Sequence, residues 1–133
     1  MLEHHVAPEG MAAATGYSHV VAGSGRMVAI AGQVAVDAAG NIVGKGDART
    51  QTEQVFENLQ RALECVGASF ADVMKLNYFC TDTAILPVVR EVRDRYVDPS
   101  RPPASTAVQV GALFRPEFLI EVEALAVIAE PRS

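Results

Sequence analysis

The sequence predicts an α+β domain, a mixed β-sheet with two helices packed on one of its faces. Two amphipathic helical repeats, over 50–66 and 84–97, alternate with apolar runs rich in β-branched residues. The last run, LIEVEALAVI at 119–128, alternates with period two and is apolar throughout on one face. The chain has 133 residues, half of them hydrophobic, which suits one domain with one core. No internal repeat or linker divides it.

The elements follow in order. Residues 1–16 are small, Ala-rich and Gly-punctuated, so 1–15 is expected to be a flexible arm and 16–133 the folded domain. His19 to Ala22 reads as a short strand, and Gly23-Ser24-Gly25 as a turn. MVAIAGQVAV at 27–36 is a strand interrupted by Gly32, which predicts a bulge or a close backbone approach. DAAGN at 37–41 is a turn. The first helix spans 50–66, with Val55, Leu59, Ala62, Leu63 and Val66 on its inner stripe. Thr50 and Glu53 suit a capping box, and Gly67 suits the stop. Residues 73–80, VMKLNYFC, form a strand with Met74, Leu76, Tyr78 and Cys80 on one face. The second helix spans 84–97, with Ile85, Val88, Val89, Val92 and Tyr96 inward. Pro87 is tolerated in its first turn, and Pro99, Pro102 and Pro103 force an extended exit. STAVQV at 105–110 is a strand, GALFRPE a loop, and 118–128 the last strand.

Composition narrows the function. The net charge is −5, with two lysines, nine arginines and no basic run, which disfavours a nucleic-acid partner. No apolar run has the length of a membrane helix, and the N-terminus lacks the pattern of a signal peptide, so a cytoplasmic protein is expected. Cys65 and Cys80 lie in apolar segments and are expected to be two buried, reduced thiols. His4, His5 and His19 have no zinc-site spacing, so no metal is expected.

The last strand raises a chemical question. Ile120, Val122, Ala124, Ala126 and Ile128 share its apolar face. Leu119, Glu121, Glu123, Leu125 and Val127 share the other, with two carboxylates amid apolar residues. An unpaired buried charge is too costly for a plain core strand. That face is therefore expected to be partly covered and to carry polar work, although an exposed edge position would also account for either glutamate. The strands at 27–31 and 118–128 are apolar on both faces, and two helices cover only one. The uncovered face predicts a homo-oligomer packed about a central axis, with clefts between subunits and Glu121 facing one of them.

Four segments carry a resemblance: AGQVAVDAAGNIVG (31–44), QTEQVFENLQRALECVGASFADVMKLNYFCTD (51–82), PPASTAVQV (102–110) and IEVEALAVI (120–128). In this order and spacing the chain resembles the Rid family, also called YjgF/YER057c/UK114, over about residues 16–129. The resemblance implies a chorismate-mutase-like fold and a homotrimer with three inter-subunit clefts. It also implies hydrolysis of reactive enamines and imines, such as 2-aminoacrylate, to an oxo acid and ammonia, with no cofactor. Glu121 matches the glutamate that positions or activates water. Gly32 and the backbone of Ala107 match groups that contact substrate. Tyr17 corresponds, offset by one, to a tyrosine of the N-terminal arm, and a serine usual before the family's Gly-Gln is here Ala31. The match breaks at the family's Pro-Ala-Arg, which reads Pro103-Ala104-Ser105 here. Ser105 can donate a hydrogen bond to a substrate carboxylate but brings no charge. Arg26, Arg90 and Arg115 are possible substitutes, and Arg90 matches a position that lines the cleft.

Two functions remain open from the sequence. One is an atypical imine or enamine hydrolase in which Glu121 activates water and Ser105, Ala107, Gly32, Tyr17 and Arg90 bind a small-molecule substrate. The other is a non-catalytic trimer that binds a metabolite or a partner protein. Retention of Glu121 favours the first, and loss of the arginine favours the second.

Overall fold

The computed structural model describes residues 2–130. Its strands are β1 (Glu3–His5), β2 (Val20–Ala22), β3 (Arg26–Gln33), β4 (Val73–Cys80), β5 (Ala104–Gln109) and β6 (Ile120–Ile128). The helices are α1 (Ala48–Cys65) and α2 (Leu86–Arg93). The main sheet runs β3-β6-β4-β5, and β1 and β2 form a separate two-stranded sheet. β6 is antiparallel to both of its neighbours, while β4 and β5 are parallel, so the sheet is mixed. Both helices pack on one face of it, as the sequence predicts.

The alternation in β6 explains why the helices choose that face. Ile120, Val122, Ala124 and Ala126 are buried there with Leu76, Tyr78 and Cys80 of β4. Val55, Phe56, Leu59 and Leu63 of α1 and Val89 and Val92 of α2 close over them. Phe56 stacks on Phe70 and Tyr96, with ring centroids 5.9 Å and 5.3 Å away, sealing one end of the core.

α1 begins two residues earlier than its hydrophobic stripe suggests. The cap is Asp47, whose carboxylate accepts from the Thr50 N–H at 3.1 Å and the Thr50 hydroxyl at 2.8 Å, so the expected Thr50–Glu53 capping box does not form. Gly67, with φ +74°, ends the helix as expected: its N–H bonds Glu64 O at 3.0 Å and that of Ala68 bonds Leu63 O at 2.9 Å. Inside α1, buried Gln51 bonds both ways to the loop before β6. Its Nε2 donates to Glu117 O at 2.8 Å, and its Oε1 accepts from Leu119 N–H at 2.9 Å. That pair fixes the entry of β6 two residues before Glu121.

Three elements differ from expectation. α2 is shorter than 84–97. A 3-10 turn over Thr83–Ile85, capped by Asp82, precedes it, and after Arg93 the chain loosens into tight turns that stop before Pro99. β3 ends at Gln33 because the register slips between Ile30 and Gln33, and Val36 then bridges Ile42 across the 37–41 turn. The first residues are not free of structure: β1 pairs with β2, His4 Nδ1 lies 2.9 Å from Pro102 O, and Arg101 donates to Leu2 O at 2.9 Å. Cys80 is buried, but Cys65 at the end of α1 is exposed, which corrects the expectation of two buried thiols; both are free.

Candidate functional site

The predicted site residues lie on two different sides of the sheet. On the uncovered side, Glu121 of β6 stands opposite Phe79 of β4, and Glu123 opposite Asn77. The Glu121 carboxylate lies directly over Gly32, where an added Cβ would overlap it. Gly32 falls within the register slip between β3 and β6. Both the bulge and the close approach expected of this glycine therefore occur, and the atom approaching is the carboxylate itself. Glu121 is half-buried and has no ion-pair partner among the described residues.

The other predicted residues meet elsewhere. Ser105 and Ala107 of β5 pair with Leu76 and Tyr78 of β4, so their side chains lie on the helix side of the sheet. There they line a cleft of about 290 Å³ with Thr15 and Tyr17 from the arm, Tyr78, and Leu86, Arg90 and Arg93 of α2. β5 is the sheet's edge strand, so one side of its backbone is not used by the ladder beyond the bridge from Ser18 to Ala104.

Local bonds hold this cleft in shape. The Ser18 hydroxyl donates to Pro102 O at 2.6 Å, and its N–H to Pro103 O at 3.1 Å, which docks the arm beside β5. Arg93 donates to Gly16 O at 2.6 Å and to Asp94 Oδ1 at 3.1 Å and 2.9 Å, which ties the arm to α2. Between these ties Tyr17 meets His19 edge-on, with centroids 5.4 Å apart.

Four cleft residues, Thr15, Tyr78, Leu86 and Arg93, escaped the sequence reading, and two of them are buried polar groups. Tyr78 was assigned to an apolar strand face, and Arg93 was not singled out. The signal for Tyr78 was available, because a tyrosine in a buried apolar row needs a partner for its hydroxyl. It has none: the hydroxyl is buried and makes no hydrogen bond among the described residues. Burial pushes its pKa well above the usual tyrosine value, outweighing the downward pull of Arg93 and Arg90, so the group is a neutral donor.

Within a single chain the predicted residues therefore fall into two groups. Glu121 and Gly32 form one, and Ser105, Ala107, Tyr17 and Arg90 form the other. They lie on opposite faces of the sheet, on strands separated by β4. Of the alternative cations, Arg26 is committed to Val66 O at 2.8 Å, and only Arg90 lines the cleft. Among the described residues, no cluster of His, Cys, Asp or Glu is arranged to hold a metal, and no helix is long and apolar enough to cross a membrane.

Comparison with known proteins agrees with this architecture. The family model described as Endoribonuclease L-PSP matches residues 7–128. A RutC family protein of Pyrococcus horikoshii is 38% identical over 103 residues, 77% of this chain and 80% of its own length. The 3-aminoacrylate deaminase RutC of Acinetobacter baylyi is 35% identical over 100 residues, 75% of this chain and 78% of its own. The crystal structure of YyfB from Yersinia pestis, a Rid-family protein of unknown function, matches with a TM-score of 0.84 at 36% identity, covering 96% of this chain and 98% of that one. With the α+β sheet, the order of its motifs and a family match along nearly its whole length, the chain belongs to the Endoribonuclease L-PSP family, the Rid family that its sequence resembles.

Proposed function

We propose that this protein is a cofactor-independent cytoplasmic hydrolase of small imines and enamines, working in clefts between the subunits of a homotrimer. The observation that carries the proposal is the Glu121 carboxylate, seated over Gly32 on the uncovered sheet face without an ion partner. A fixed, half-buried carboxylate is suited to take a proton from water. The water oxygen bonds to the imine carbon, and the C–N bond breaks. Nitrogen leaves as ammonia with the protons released, and a carbonyl remains. An enamine first takes a proton at carbon to reach the same imine. The substrate rests on Ser105, the Ala107 backbone and Arg90, with Tyr17 closing the cleft.

The trimer supplies what one chain lacks. Met27, Leu125 and Val108 are exposed on the uncovered sheet face. Burying that face against a neighbour removes apolar surface from water and brings Glu121 of one copy toward the cleft of another. The relative named 3-aminoacrylate deaminase supports the chemistry, since it acts on an enamine. RNA cleavage, suggested by the family description, fits poorly with a net charge of −5. The second reading, a binding trimer without catalysis, draws on the neutral Ser105.

The test is release of ammonia and oxo acid from 2-aminoacrylate and from imines of neutral and bulky amino acids, with mass measurement of the assembly. Wild type should turn over as a trimer, and Glu121→Ala should lose about 10²–10⁴-fold in kcat while staying trimeric. Undiminished turnover in Glu121→Ala, or none in a folded wild-type trimer, would move the assignment to the binding reading.

A further inference from the structure

Resting on the reading above, we propose that the side-chain amides of Gln51 and Asn58 are positioning residues. From the covered side of the sheet they set the Glu121 carboxylate against Gly32.

The reasoning starts from what the sheet leaves loose. β4 holds β6 by pairing up to Cys80–Ile120. On the other side, β3 pairs with β6 through Ile30–Ala124, slips, and meets it once more at Gln33–Val122. Gly32 lies inside the slip, and the Glu121 carboxylate sits so close over it that a methyl group would not fit. The contact with the least room thus falls where the ladder between β3 and β6 is interrupted. A cavity of about 400 Å³ borders Gly32, Val34 and Val36, so this stretch also lacks close packing on that side.

α1 supplies the missing constraint. Gln51 and Asn58 are seven residues apart, on one face of the helix. Asn58 Nδ2 donates to Val34 O at 3.2 Å and to Val36 O at 3.0 Å. Gln51 Nε2 donates to Glu117 O at 2.8 Å and to Gly44 O at 3.1 Å, and its Oε1 accepts from Leu119 N–H at 2.9 Å. Gripped residues therefore lie two and four places after Gly32, and two and four places before Glu121. Gln54 Nε2 donates to Asn58 Oδ1 at 2.8 Å, which turns the Asn58 nitrogen toward the exit of β3. Gln51 is fully buried in line with Val55 and Leu59, where a leucine would pack without desolvating an amide. Capturing carbonyls that have left the ladder would account for Asn58. It does not account for the same helix face also gripping the approach to Glu121.

Turnover of 2-aminoacrylate, thermal melting and the carbon-13 signal of the Glu121 carboxyl, assigned with Glu121→Gln, test this on the full chain. Asn58→Ala and Gln51→Leu should each lower kcat about tenfold or more, with KM within about twofold, and each should move the Glu121 signal. Should Gln51→Leu fail to fold, Asn58→Ala, at a half-buried site, carries the test. Thr52→Val is the control. Its buried hydroxyl bonds Ala48 O inside α1 at 2.7 Å, so kcat and the Glu121 signal should stay at wild-type values whatever the melting temperature does. In a Glu121→Gln background the amide substitutions should cost no further turnover. Unchanged kcat with an unmoved Glu121 signal would overturn the proposal. So would a loss of kcat that Thr52→Val reproduces, or one that persists in full without the Glu121 carboxylate. If wild type does not turn over, or Glu121→Gln is as active as wild type, the hydrolase reading falls and the Glu121 signal alone decides the positioning role. If Glu121-dependent turnover keeps its wild-type kcat in both amide variants, the hydrolase stands and the positioning role falls.

Discussion

Ile120, Val122, Ala124 and Ala126 of β6 look toward the helices and are at most 3% exposed, whereas Glu121, Glu123 and Leu125, each one residue along, look away and remain accessible. The first set touches the whole of the core. The second holds the Glu121 carboxylate over Gly32 and leaves Leu125 exposed. Over residues 120–126 the parity of residue number thus separates buried from accessible side chains, and only then does Val127 break the rule by being buried on the outward face. The proposed function puts assembly and chemistry on the accessible odd positions.

The largest test of that division lies under the helices. Leu76→Ala, fully buried opposite Ala124, should cost about 2–5 kcal/mol in urea unfolding and reduce activity only through the folded fraction. Next comes the outer face. Leu125→Glu should shift the assembly from trimer to monomer by light scattering, while a monomeric fold remains by circular dichroism. A trimer that survives this charge would place the interface elsewhere. Gly32→Ala sharpens the comparison within the odd positions. The new methyl needs the space of the Glu121 carboxylate, so kcat should fall on the order of 10²-fold through misplacement, with little change in the urea midpoint. The smallest effect belongs to neither face. Asp47 caps α1, and its hydrogen bonds from Thr50 hold its pKa below the ordinary 3.8. Its contribution is present above pH 3.8 and is lost as pH falls through the lower folded value. Asp47→Ala should therefore melt slightly below wild type at neutral pH, with the gap closing in strong acid.

Parity was legible in the sequence because it needs only the spacing within one strand. β4 falls on 73–80 as its pattern indicates, and β6 keeps the predicted faces. Gly32 announced both the register slip and the close approach. What one strand cannot reveal is its phase against the next. Ser105 and Glu121 each looked like cleft residues, and only the pairing of Ser105 with Leu76 and of Glu121 with Phe79 puts them on opposite sides. β1 was invisible because three polar residues, Glu3-His4-His5, gain their partner only from the distant β2. The cap of α1 was misassigned since Asp47 and Thr50 both suit the role, and the choice rests on the turn in which Asp47 N–H bonds Gly44 O at 3.0 Å. Tyr78 was hidden by the apolarity of its neighbours, which indicates burial but gives no count of donors and acceptors.

The bond from Arg93 to Gly16 O carries a consequence in time. Tyr17 follows Gly16, and the amide of Ser18 next to it is itself bonded to Pro103 O. Tyr17 therefore sits between two anchored residues. Lifting this stretch of the arm breaks both bonds, so its detachment and the release of Arg93 at the end of α2 become one event with one rate. The Ser18 amide reports that rate: it can exchange its hydrogen with solvent no faster than the arm detaches.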